Sequence, residues 1–95
     1  MGYSDASEWN EINEIRCLII FKRLQDEGFA RGRQTELCRE MAAITNLDYT
    51  NISAKVTNIK SVAGVIGPSN ASTNTREVYE KYHRMLIADL KALVD

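Results

Sequence analysis

Residues 7–27, SEWNEINEIRCLIIFKRLQDE, contain the longest apolar run of the chain, Cys17–Phe21, and predict its central helix. Ser7 is a typical N-cap, and the acids that follow it suit the positive end of a helix dipole. In the middle of the segment apolar side chains occupy almost every side, as in a buried helix. Gly28 predicts the end of the helix, with Phe29 folding back onto it. The predicted inward face consists of Trp9, Ile12, Ile15, Ile19 and Leu24, thickened by Leu18, Ile20 and Phe21.

Three further helices are predicted, so the expected fold is all-α, with four helices in one domain spanning residues 1–95. The pattern predicts these helices over 35–44, 51–62 and 75–94, with a turn at 45–48 and a loop at 64–74. The second and third helices with their turn, 35–63, resemble a helix-turn-helix unit. In the last helix the inward positions are Val78, Tyr82, Met85, Leu86, Asp89 and Leu93, with Asp89 as the one misfit.

Composition excludes several classes of protein. A hydrophobic content of 44% and a charged content of 26% are ordinary for a globular domain. No apolar run is long enough to span a bilayer, and acids stand near the N-terminus where a signal peptide would carry basic residues. We therefore expect a cytoplasmic protein without a membrane segment. Cys17 and Cys38 fall on apolar helix faces and are expected to be reduced core thiols.

The chain offers little for catalysis or metal binding. His83 is its only histidine and lies in a charged stretch, where a solvated surface side chain is the simpler interpretation. The sequence has no Cys-x-x-Cys pair, no phosphate-binding glycine loop and no paired-carboxylate motif. We expect no enzyme activity, no metal and no cofactor.

Acidic residues are missing between Tyr49 and Arg76, although the chain has 13 acids among its 95 residues. Across residues 31–76, six basic residues stand against three acidic ones, so the net charge of −1 conceals a local positive balance. The acid-free stretch includes the predicted helix 51–62. Such a distribution of charge favours a surface that binds phosphate, because no carboxylate in the stretch would repel it.

The helix 51–62 has two different sides. Ile52, Val56, Ile59 and Ala63 form a narrow inward stripe, and small polar side chains occupy the opposite side, flanked by lysines. This layout suits a DNA groove, because small polar side chains reach base edges while cations reach phosphates. The candidate base contacts are Asn51, Thr57, Asn58 and Ser61, and the candidate phosphate contacts are Lys55, Lys60, Arg31, Arg33 and Arg76.

These residues also have structural interpretations. The loop around Arg31 and Arg33 is compatible with a solvated turn, and the asparagines with caps or with amides packed on the next loop. Tyr79 and Tyr82 are compatible with base stacking, although helical spacing favours a core position for Tyr82. About five phosphate contacts predict a log–log salt slope near −4 to −5 on duplex DNA. So small a footprint favours a homodimer or a tethered partner.

The run 51–62, NISAKVTNIKSV, contains a Lys55-x-x-Asn58 motif and precedes a Ser/Asn-rich link and a final helix with an aromatic near its start. Together with the opening Trp9, this order resembles a small helical domain at the N-termini of HNH-type restriction endonucleases and related bacterial defence proteins. The similarity covers roughly residues 8–83. It implies an accessory, DNA-contacting domain in which Lys55 and Asn58 are either contact or scaffold residues. The HNH residues are absent, so nuclease activity is not implied.

The leading hypothesis is a DNA-binding module, regulatory or defence-associated, that contacts DNA rather than RNA through the helix 51–62. The alternative is a small, phage-encoded inhibitor that occludes a protein surface of a bacterial defence complex. A free-standing domain that resembles part of a defence enzyme would compete with it. A structural oligomerisation domain is a third interpretation.

Overall fold

The computed structural model describes residues 9–95, which form five α-helices. No strand occurs within this range, so the all-α class is confirmed, but the prediction of four helices is wrong. None of the helices in the described part of the chain is long and apolar enough to cross a bilayer. The helices are α1 (Glu11–Asp26), α2 (Arg33–Ala43), α3 (Tyr49–Val62), α4 (Thr73–Tyr82) and α5 (Ile87–Val94).

α1 begins later than the sequence predicted. Its N-cap is Asn10, whose Oδ1 accepts a hydrogen bond from the Asn13 N–H at 2.8 Å. This bond satisfies one of the first-turn N–H groups that a helix leaves without a partner. The predicted cap, Ser7, lies outside the described residues. Trp9 therefore precedes the helix and packs partly buried on the core, and Ile12, predicted to face inward, is exposed.

The end of α1 is as predicted. Gly28 and Phe29 both have positive φ, 69° and 56°, and the Phe29 N–H donates to the Leu24 carbonyl at 2.7 Å. This reversal is a common way to close a helix, and glycine adopts it without the cost that a Cβ imposes. It brings the Phe29 ring to 6.0 Å from that of Phe21, measured between centroids.

α1 is the central helix, because it packs against each of the other four. Its middle is buried on nearly every side, and the stripe Ile52, Val56 and Ile59 of α3 joins the same core, as predicted. Cys17 and Cys38 are free thiols within it. Burial raises the pKa of both thiols, so both remain protonated and serve as apolar packing.

The last predicted helix is broken at residues 83–86. α4 ends at Tyr82, and Leu86 is extended (φ −69°, ψ 151°) before α5 begins. The Lys22 ammonium donates to the His83 carbonyl at 2.7 Å and so satisfies an oxygen that the helix end leaves without a partner. α4 packs against α1 and α3, whereas α5 packs against α1.

The break changes which residues of the C-terminal segment face the core. Leu90 is fully buried, whereas Leu86 and Leu93, both predicted to face inward, are 71% and 45% exposed. Asp89 is exposed and is therefore no misfit. Burial of Leu90 against α1 contributes roughly 2 kcal/mol, which a single straight helix with the predicted face would not gain.

α2 and α3 pack against each other across the connection 44–48. α2 starts at Arg33, two positions before the predicted start, after Gly32 in the left-handed region (φ 84°). α3 starts at Tyr49 and is capped by Asp48, whose carboxylate accepts from the Thr50 N–H at 2.8 Å and from its hydroxyl at 2.7 Å. These two bonds lower the pKa of Asp48.

Candidate nucleic-acid interface

The outward side of α3 carries small and amide side chains. Asn51 and Ala54 are exposed, and Asn58 and Ser61 are half-buried; we call these four residues the α3 strip. Within residues 9–95, the side chains of Asn51, Asn58 and Ser61 have no hydrogen-bond partner. Each asparagine therefore offers both an amide donor and a carbonyl acceptor to a ligand.

Gln34 of α2 fixes one edge of the α3 strip. Its Nε2 donates to the Ser53 Oγ at 2.9 Å and to the Thr57 Oγ1 at 3.2 Å, and its Oε1 accepts from the Lys60 Nζ. The Lys60 Nζ also lies 5.3 Å from the centroid of the Phe29 ring. Two predicted contact residues, Thr57 and Lys60, are therefore held by the protein's own side chains.

Lys55 lies on the other edge and is turned into the protein. Its Nζ is 3.6 Å from the Glu14 Oε2, 3.1 Å from the Thr75 Oγ1 and 4.7 Å from the centroid of the Trp9 ring. The Lys55 side chain is 14% exposed and that of Glu14 only 1%. The expectation that Lys55 flanks an exposed surface is therefore wrong.

The physical reason for the placement of Lys55 is the burial of Glu14. A carboxylate removed from water costs several kcal/mol unless a cation and hydrogen bonds compensate it. Lys55 supplies the cation, and the Thr75 hydroxyl donates to the Glu14 Oε1 at 2.9 Å. Thr75 itself is held at the start of α4, where its N–H donates to the Ser72 side chain. The cluster joins α1, α3 and α4.

The three predicted arginine contacts differ in their surroundings. Arg33 contacts Glu27 at 2.7 Å and Glu36 at 3.2 Å, and this pairing lowers the pKa of Glu27. Arg31 and Arg76 are exposed, and neither side chain has a hydrogen bond or ion pair among residues 9–95. Along the chain, Arg31 lies three residues before Gln34, and Arg76 directly follows Thr75, the partner of Lys55.

The aromatic residues of α4 belong to the protein's own packing. The Tyr79 ring stacks on the His83 ring, with centroids 4.5 Å apart, and meets Phe21 edge-on at 6.3 Å. The Tyr82 hydroxyl donates to the Glu11 carboxylate at 3.0 Å, and its ring is half-buried rather than in the core.

Among residues 9–95, no group of three or more His, Cys, Asp or Glu side chains is placed to hold a metal ion.

Sequence reasoning missed the structural roles of Glu14 and Gln34. Glu14 lies four residues before Leu18 and seven before Phe21, so it falls on the inward side of α1; an acid at such a position indicates a buried ion pair. No pattern in the sequence indicates the role of Gln34, because its three partners become neighbours only when α2 packs on α3.

Comparison of the chain with protein-family models, with curated proteins and with solved structures gave no match. The resemblance to the N-terminal domain of HNH-type endonucleases therefore stays a prediction.

Proposed function

We propose that this chain is a DNA-binding module, in which α2, the connection 44–48 and α3 act as a helix-turn-helix unit. The observation that carries the proposal is the α3 strip, where Asn51 and Asn58 are accessible on an acid-free helix and have no partner among the described residues. Asparagine amides recognise adenine in the major groove through paired hydrogen bonds.

Side-chain contacts hold both edges of the helix that carries the strip, which suits recognition. Gln34 ties one edge of α3 to α2, and Lys55 ties the other edge to α1 and α4. The backbone of the helix that carries the asparagines is therefore held in place before binding, and this lowers the entropic cost of a complex.

Phosphate contacts would come from Arg31 and Arg76, because Lys55 is turned inward and Arg33 and Lys60 have partners within the protein. Two phosphate contacts give a log–log salt slope near −2 on duplex DNA, shallower than the slope expected for five. With so small an electrostatic contribution, one copy of the chain would bind DNA weakly. Tight binding would need two copies or a tethered partner.

The test is fluorescence anisotropy with labelled duplex and single-stranded DNA across a range of salt concentrations. The double variant N51A/N58A should bind about tenfold or more weakly, since one good amide–base pair contributes roughly 1–3 kcal/mol. R31A/R76A should flatten the salt slope by about two. The matched control K81A/R84A removes two exposed cations outside the strip and should leave both quantities unchanged.

Flat anisotropy on every nucleic acid at low salt would refute DNA binding. In that case a pull-down that recovers a defence nuclease subunit without nucleic acid would favour the alternative, an inhibitor of a defence complex. If the pull-down with N51A/N58A no longer recovered that subunit, the same strip would be the surface that binds it.

A further inference from the structure

An apolar groove with a volume of about 380 Å³ lies between α1, α2 and α5. Ile19 and Ile20 of α1 line it together with Leu37 and Met41 of α2 and Val94 of α5. No residue of α3 or α4 takes part, so the groove is separate from the α3 strip. A groove between packed helices is a common binding site for a further protein segment.

Ile44 stands at the rim of this groove and is 70% exposed. It directly follows α2, so it projects from the end of one wall. A single exposed isoleucine is ordinary, but an exposed isoleucine beside an open apolar groove enlarges one contiguous patch. The patch offers both a projecting side chain and a cavity that would receive one.

The charges around the groove are mixed in sign. Arg23 and Lys91 supply two cations and Glu40 and Asp95 two carboxylates, and none of these side chains is hydrogen-bonded or ion-paired with another described residue. The remaining cation, Arg16, donates hydrogen bonds to the Val94 carbonyl and to the Asn13 side chain. A nucleic acid or another anionic ligand would be repelled by the two carboxylates. A second copy of the same groove rim would instead offer a cation for each carboxylate and a carboxylate for each cation.

We propose that the groove is covered by a second copy of this chain, related by a two-fold axis, so that Ile44 of each copy enters the groove of the other. Two-fold contacts are self-complementary: if one residue meets another across the interface, the reverse contact also forms. Glu40 lies one helical turn before Ile44 and is carried with it to the partner's α5, where Lys91 stands.

The oligomeric state, measured by sedimentation velocity over a concentration series, tests this interface. The wild-type chain should show a monomer–dimer equilibrium, and I44D should raise the dissociation constant at least tenfold, because a carboxylate would enter an apolar groove. The matched control is L86D. Leu86 is as exposed as Ile44, 71% against 70%, but lies outside the groove, so L86D should dimerise like wild type.

A charge exchange tests the pairing. E40K and K91E should each weaken self-association, because each places like charges together at both symmetry-related positions. An equimolar mixture of the two variants should form heterodimers with wild-type affinity, because opposite charges then meet at both positions. A wild-type chain that stays monomeric at all concentrations would overturn the proposal, as would a mixture that fails to associate. Neither result decides whether the α3 strip contacts DNA, which is measured with variants of that strip; loss of the dimer would lower only the affinity.

Discussion

At the scale of single residues, the role of Lys55 depends on Glu14. The sequence places Lys55 on the flank of α3, and that angular position is correct. A lysine side chain is long enough to turn back toward the core from such a position, and the 1% exposed carboxylate of Glu14 draws it there. The helical pattern gives the direction of a Cα–Cβ bond, not the position of an ammonium group four carbons away, so this contact could not be predicted from α3 alone.

Replacing Lys55 should therefore destabilise the fold. K55M keeps the aliphatic length but leaves the Glu14 carboxylate buried without its cation, and loss of one partner of such a pair costs about 3 kcal/mol. Urea unfolding of K55M should show a lower free energy of unfolding than wild type.

The double variant E14Q/K55M provides the control, because it removes the buried charge together with its partner. It should recover a substantial part of the lost stability. Asn58, the other residue of the Lys-x-x-Asn motif, has no partner among the described residues, so N58A should unfold like wild type. Equal stability of K55M and wild type would show that Lys55 does not compensate Glu14.

At the scale of helices, periodicity predicted the inward stripe of α3 and most of that of α1, with Ile12 as an exception, and Gly28 marked the end of α1. It did not predict the break at 83–86, because the segment contains neither proline nor glycine and its apolar residues fit one continuous helix. The break depends on contacts distant in the chain, namely Leu90 against α1 and Lys22 with the His83 carbonyl. The outward side of α3 lies where the phase of that one helix places it, but its role as a contact surface stays a prediction.

The N-cap of α3 should make stability depend on pH. Hydrogen bonds from Thr50 lower the pKa of Asp48 in the folded chain, so the native state holds fewer protons than the unfolded state near that pKa. The resulting stabilisation is present above the unfolded pKa of about 4 and is lost as pH falls through the lower, folded value. Thermal unfolding should therefore show a falling Tm between about pH 5 and pH 3.

D48N separates this effect from that of other carboxylates, including Glu27, whose pKa is also lowered. Asparagine retains an oxygen that caps a helix but does not titrate in this range. The Tm of D48N should fall less steeply with acid than that of wild type, although both are similar near neutral pH. Parallel curves would mean that Asp48 does not contribute to the acid sensitivity.

At the scale of the whole molecule, the chain carries two surfaces of different chemistry that share no residue. α3 packs on α1 through its apolar stripe and presents the acid-free strip outward, whereas α2 and α5 flank the apolar groove. The charge pattern indicated the first surface in the sequence. The second could not be predicted, because the groove requires α5, and its apolar lining comes from three helices whose arrangement the periodicity does not define.

α5 links the groove to local stability. It is an 8-residue helix that packs against α1, and a helix this short depends on tertiary packing rather than on its own propensity. In native-state hydrogen exchange, the α5 amides should therefore open at a lower free energy than those of α1 or α3.

If a second copy covers Lys91 and Val94, exchange in α5 should slow as protein concentration rises, because dimerisation stabilises only the closed form. I44D should abolish that concentration dependence while leaving the α1 amides protected. Concentration-dependent protection confined to α3 would instead place the contact between copies on the α3 strip.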